Sequence, residues 1–173
     1  VFGKRAGEKA AERARSVGSR EFNESALEPV MNRINRFGNG SGESSWFDVR
    51  KSLKTTAGNS LIAVRSATLL EQMRENCSSL RYGQLLDASV ENRQDLLRVL
   101  ETDNLVFTAD LMALTALHRT ESRGSHYRED HPERSDENWD KSIFWKLGAD
   151  GEPEPTSGKY RQDPNESVQV SPA

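Results

Sequence analysis

The densest set of groups able to do chemistry lies between residues 119 and 139, Arg119-Thr-Glu-Ser-Arg-Gly-Ser-His-Tyr-Arg-Glu-Asp-His-Pro-Glu-Arg-Ser-Asp-Glu-Asn-Trp139. It holds two of the three histidines, His126 and His131, three arginines after Arg119, and six carboxylates: Glu121, Glu129, Asp130, Glu133, Asp136 and Glu137. Such a set offers three chemistries. His126 and His131 with Glu129 and Asp130 present donors to a metal ion, but their spacing matches no strong ligand motif and Pro132 bends the segment. Arg123 and His126 suit acid–base work, the arginine fixing a carboxylate while a proton moves. That use also needs a pocket, which no motif here supplies. The third is structural: Glu121 and Arg123, directly after an apolar helix, form a charge-paired network, because an unpaired buried charge is costly. Gly124 then permits a backbone conformation closed to other residues. Asp136-Glu-Asn-Trp139 starts a new local turn, with Trp139 as an apolar anchor. The structural reading is preferred, so the chain is expected to carry no metal ligand and no catalytic residue.

Other signals narrow the field. The Gly-rich nucleotide loops and the Gly-x-Ser-x-Gly elbow are absent. The single cysteine, Cys77, falls in a helical apolar stripe and reads as a buried thiol in a reducing compartment. A net charge of −3 gives no nucleic-acid footprint. No apolar run reaches the roughly 18 residues of a membrane span. At 34% apolar residues, a compact middle with polar ends is expected.

The elements that must position the charged stretch are helical. Phe2, Ala6, Ala10, Ala14 and Val17 share one face of a helix over 1–17, stopped by Gly18. Leu27, Val30, Met31 and Ile34 predict a short second helix, with Pro29 in its first turn. Gly38-Asn-Gly-Ser-Gly42 reads as a flexible connector. Ser45 caps a helix bearing Trp46, Val49 and Leu53, broken by Gly58-Asn-Ser60. A longer helix is expected over 60–80, with Ile62, Leu69, Met73, Cys77 and Leu80 inward. Another is expected over 86–101. Thr102-Asp-Asn104 should break the chain before a last, most buried helix over 103–119. The tail offers a strand at Ser142–Leu147, a turn at 148–151 and an extended piece at Val168–Val170. The fold class is mainly α, an antiparallel bundle of three main helices, spectrin-repeat-like, with a partly extended, irregular tail. No strand is expected within 43–119.

The stretch from Arg119 to Trp139 resembles the C-terminal signature of the succinate dehydrogenase/fumarate reductase flavoprotein subunits. Val1-Phe-Gly-Lys-Arg-Ala-Gly resembles that family's helix after the flavin-site strand and loop. Lys4, Ser125 and Ser135 depart from the usual Arg, Ala and Asp without removing a network group. Aspartate oxidases share Glu-Ser-Arg-Gly but usually lack Asp-Glu-Asn-Trp, and adenylylsulfate reductases lack a clean Arg-Gly-x-His. A stand-alone helical interaction module is the alternative outside flavoproteins.

The resemblance implies a piece of a longer, cytoplasmic, FAD-dependent oxidoreductase, peripheral at the membrane's inner face through its partner subunits. That parent moves a hydride between FAD and the fumarate/succinate pair and passes electrons to an iron–sulfur subunit. Residues 1–37 correspond to the end of the flavin domain and a connector helix. Residues 38–42 form a linker, 43–120 the helical bundle, and 121–173 a docking loop and tail. It also implies that catalytic and FAD-binding residues lie upstream of this chain, which by itself binds no FAD and is inactive. Glu121, Arg123, Gly124, His126, Arg128, Asp136 and Trp139 then form a network docking the bundle onto the flavin domain and bordering the iron–sulfur subunit, with no membrane insertion.

Overall fold

The computed structural model describes residues 2–19, 23–38, 40–148, 153–158 and 171–172. The chain divides into two compact units, residues 1–36 and 37–173. In the first unit, α1 (Phe2–Val17) and α2 (Glu28–Gly38, which runs on into the second unit) are joined through a 3-10 turn, Glu24–Leu27. Asn23 caps that turn by accepting the Ser25 N–H. No described residue of this unit is buried. The faces expected to point inward, Phe2 on α1 and Leu27, Val30 and Met31 at α2, are exposed. Helices this poor in large apolar residues close no core of their own.

The second unit holds α3 (Trp46–Ser60), α4 (Ala67–Ser79), a π-helical turn (Leu80–Gln84) and α5 (Arg93–His118). The three α-helices pack against one another. Their core is Phe37, Val49, Leu53, Leu70, Met73, Cys77, Leu80, Leu85, Val99 and Val106, closed at one end by Ala109, Ala113 and Ala116. Burial, followed by the charge of Asp110, pushes the Cys77 thiol up to about 12, so it stays protonated and inert.

Several expectations are corrected. The break at residues 102–104 does not exist, because both polar side chains find partners. Thr102 Oγ1 donates to Arg98 O at 2.6 Å and accepts from Arg50 Nε at 2.7 Å. Asp103 pairs with Arg81 at 2.8 Å. With those groups satisfied, 26 residues run as one helix. Its inward face is largely small: Leu105 and Met112 are 48% and 53% exposed. The helix expected over 60–80 begins only at Ala67, capped by Ser66. Before it, β1 (Val64–Arg65) pairs in parallel with β2 (Tyr127–Arg128), and Ile62 is exposed. A partner about 60 residues away overrides the local helical pattern.

The glycine-rich connector is packed rather than loose. Gly40 O accepts the Val90 N–H at 3.0 Å, and Ser44 O accepts the Ser89 N–H at 2.9 Å. A β-carbon on Gly40 would collide with the Ala88 carbonyl oxygen. Gly40→Ala is therefore expected to lower stability by about 1–3 kcal/mol, read by urea unfolding, through forced displacement of backbone. An unchanged midpoint would show that this contact yields freely.

A four-residue helix, α6 (Asp136–Trp139), precedes the tail sheet. There β3 (Ser142–Leu147) lies where the sequence places it, antiparallel to β4 (Pro153–Gly158) with Ser142 opposite Gly158. The unexpected β4 tolerates two prolines because β5 (Ser171–Pro172) covers only Thr156 and Ser157. Among the described residues its far side is elsewhere an edge that needs no N–H donor. Trp145 Nε1 donates to Thr115 Oγ1 at 2.7 Å, fastening the sheet to α5. Residues 149–151 of the expected turn and Val168–Val170 lie outside the described residues.

Candidate functional site

A helix ends with carbonyls that lack intrahelical partners. For α5 they are met by Arg128, whose side chain is only 2% exposed. Its Nη1 donates to Ala116 O at 2.6 Å, Leu117 O at 3.2 Å and Arg119 O at 3.4 Å. The other edge of the guanidinium makes a two-point contact with Asp130, at 2.7 and 2.6 Å. Asp130 Oδ2 also accepts the N–H of Ala67, the first residue of α4, at 3.0 Å. One ion pair thus joins a cation at the C-terminus of α5 to an anion at the N-terminus of α4, each where the helix dipole favours it. Hydrogen bonds from Arg128, then from the Ala67 N–H against the opposing effect of burial, hold the Asp130 carboxyl well below the usual carboxylate range.

Glu121 is the centre of a second cluster. Its side chain is fully buried. Arg119 Nη1 donates to it at 2.6 Å, Arg123 Nε at 2.7 Å and the Ser135 N–H at 2.8 Å. Burial alone would raise its pKa; the bonds from Arg123, the Ser135 N–H and Arg119 override that and bring it from 4.5 to about 2. Arg123 continues to Asp136 at 2.6 Å, which Arg134 shares at 2.7 Å. The bond to Glu121, followed by that to Asp136, raises the Arg123 pKa. Hydrogen bonds from Arg134 and then Arg123 lower that of Asp136.

The turn between these clusters is a two-residue hairpin. Arg123 N–H donates to His126 O at 2.7 Å and His126 N–H to Arg123 O at 2.9 Å. Gly124 has φ 57° and no neighbour within 4 Å of a would-be β-carbon. Glycine at the first central position is the type II′ preference. Gly124→Ala is expected to cost about 1–2 kcal/mol, purely conformational in origin, measured by thermal or urea unfolding. Ser122 pins the loop, its Oγ accepting the Arg128 N–H at 2.9 Å and donating to His131 O at 2.8 Å.

Trp139 lies against His118, ring centroids 5.5 Å apart, with Arg119 and Lys141 each 5.2 Å from its ring. Its indole N–H donates to Thr120 Oγ1 at 3.2 Å. Among the described residues, the buried His126 Nε2 has no hydrogen-bond partner. Burial, then the charges of Arg65, Arg119 and Arg128 working against a bond to the Arg119 backbone, lower its pKa.

The structure therefore places Glu121, Arg123 and Asp136 in one web and Arg128 in a separate staple. Gly124 and His126 form the hairpin, and Trp139 stacks beside Arg119. His131 and Asp130 approach only to 4.0 Å, and among the described residues no cluster of His, Cys, Asp or Glu is arranged to hold a metal ion. Sequence reasoning weighed Asp130 only as a metal donor, did not single out Arg119 as a site residue, and missed Ser122. The available signal was spacing: positions 119, 121 and 123, like 128 and 130, share a side of an extended chain.

Comparison with known proteins now decides the family. The family described as the fumarate reductase flavoprotein C-terminus matches residues 50–172. The chain belongs to that family. It is 34% identical over 80% of its length to the succinate dehydrogenase flavoprotein subunit of Rickettsia bellii. It is 38% identical over 83% of its length to a fumarate reductase (CoM/CoB) subunit of Methanothermobacter marburgensis. An E. coli quinol fumarate reductase structure superposes with a TM-score of 0.78 at 27% identity, over 96% of this chain and 30% of that one. The chain spans only 24% and 26% of the two sequence relatives. It is a C-terminal domain of the fumarate reductase/succinate dehydrogenase flavoprotein type, and its mainly helical bundle is that of the family. Among the described residues no helix is long and apolar enough to cross a membrane.

Proposed function

We propose that this chain is the docking domain of a flavoprotein oxidoreductase whose whole length moves a hydride between FAD and the fumarate/succinate pair. Electrons then pass to an iron–sulfur subunit, with the assembly on the cytoplasmic side of the membrane. In this reading residues 1–37 end the flavin domain, 38–42 link it to the bundle of 43–120, and the loop and tail of 121–173 complete the docking face. FAD, held upstream, supplies the hydride chemistry. Glu121, Arg123, Gly124, His126, Arg128, Asp136 and Trp139 shape the surface that meets the flavin domain and the iron–sulfur subunit.

The observation that carries this reading is the full engagement of the loop's two buried charges, Glu121 and Arg128. Both oxygens of Glu121 are engaged by Arg119, Arg123 and the Ser135 N–H, and Arg128 is spent on Asp130 and the end of α5. Groups so engaged hold a shape and leave little to bind a dicarboxylate substrate. In the full-length parent, Arg123→Ala is expected to reduce assembly and thermal stability by more than it changes substrate affinity. Intact assembly with a large loss of dicarboxylate binding would overturn the docking role. The 173-residue chain, purified alone, is expected to show no flavin absorption band.

A further inference from the structure

Beside the hairpin lies an open cleft of about 420 Å³, walled by Leu61, Leu111, Met112 and Trp145, with Arg65, Arg119 and His126 at its polar side. Arg65 differs from the arginines around it. It donates to the carbonyls of Ser125, at 3.0 Å, and Leu61, and among the described residues it has no carboxylate. Arg119 and Arg123 share Glu121, Arg128 has Asp130, and Arg134 shares Asp136. Four arginines, Arg119, Arg123, Arg128 and Arg134, thus meet three carboxylates, while Arg65 meets none among the described residues and lines the apolar cleft. The His126 Nε2, without a partner among the described residues, belongs to the same wall. Arg65 is partly buried, and that burial lowers its pKa, a penalty on its charge that a facing anion would offset.

We propose that the cleft receives the carboxylate of an Asp or Glu, with the apolar residues beside it, presented by the flavin-bearing part of the longer parent chain. The proposal rests on the docking function given above. Charge complementarity selects the carboxylate. The apolar walls, with Met112 exposed in the C-terminal half of α5, select an apolar flank. A single unneutralised guanidinium suits a monoanion better than a phosphate. About three-quarters of the relatives' length lies beyond what this chain spans. A segment joined covalently reaches the cleft at high effective concentration, unlike a free organic acid.

The test uses hexanoate as a probe of the chemistry and hexanamide as its neutral match. In the 173-residue chain, amide and Trp145 indole NMR shifts are expected to saturate at Leu61, Arg65 and Met112, with hexanoate binding at least about ten-fold tighter. Arg65→Gln is expected to erase that preference. Met112→Glu, whose own carboxylate would fill the cleft, is expected to abolish hexanoate binding, and it decides the matter if the arginine variant fails to fold. In the full-length parent the cleft is expected to be occupied, so hexanoate binds at least about ten-fold more weakly and residues 108–116 exchange hydrogen more slowly. Equal binding of the two probes, no saturation, or hexanoate binding that survives Met112→Glu would overturn the proposal. Undiminished hexanoate binding to the full-length parent would overturn it in favour of a free organic acid. A parent without flavin would sink the docking function separately, leaving the preference of the isolated chain as its own result.

Discussion

Glu121→Gln is expected to destabilise the second unit by about 3–5 kcal/mol, the range for removing one partner of a buried ion pair. The substitution is nearly isosteric, so no cavity contributes. What changes is that Arg119 and Arg123 keep their positive charges beside a neutral amide. Part of that amide is an NH2 group facing their N–H donors. The Ser135 N–H is left competing for the single remaining oxygen. Urea unfolding of the 173-residue chain followed by tryptophan fluorescence measures the loss. A midpoint equal to that of the unsubstituted chain would show that the web contributes nothing to stability.

The same residue fixes the acid limb of stability. Its folded-state pKa, about 2, lies below the ordinary 4.5, so the folded state binds fewer protons than the unfolded state between those values. The stabilisation it gives is complete above about pH 4.5 and is lost as the pH falls towards 2. Asp130 and Asp136 are shifted in the same direction and steepen that limb. The Glu121→Gln variant is expected to show a shallower decline between about pH 5 and 2, because one group that must take up a proton on unfolding is gone.

The sequence was informative wherever structure is decided locally. The cap at Ser45, the stop at Gly18 and the strand at Ser142–Leu147 need only neighbouring residues, and all three are where patterning puts them. It misled where a distant partner decides. Thr102 and Asp103 carry the composition of a break, yet Arg50 and Arg81, from other elements, satisfy them inside one helix. Val64 and Arg65 carry a helical pattern, yet Tyr127 and Arg128 draw them into a parallel pair. The glycines at 40 and 42 suggested slack, whereas close approach to residues 87–88 is what they serve. In the candidate site, the Glu121–Arg123 pair was readable because charges directly after an apolar helix must be paired where they are buried. The link from Asp130 to Ala67, 63 residues apart in the chain, was not, since nothing near either residue signals the other.

That link makes Arg128 the other position of large effect. Arg128→Met preserves volume and apolar packing but leaves the Asp130 carboxylate without its cation and the Ala116 carbonyl without its donor. About 3–5 kcal/mol is expected, as for other buried pairs broken on one side. Arg128→Lys is expected to recover little of it. An ammonium cannot span a two-point carboxylate contact and a helix C-terminus at once, as the planar fork does. A double-mutant cycle separates the pair from the cap. If Asp130→Ala is added to Arg128→Met, the orphaned carboxylate disappears, and the double variant should be less destabilised than the sum of the two single ones. The remaining loss then combines the end of α5, whose carbonyls still lack a donor, with the start of α4, where the Ala67 N–H has lost its acceptor. Strict additivity would mean that Arg128 acts on the helix terminus alone, and that the tie between α5 and α4 through Asp130 carries no energy.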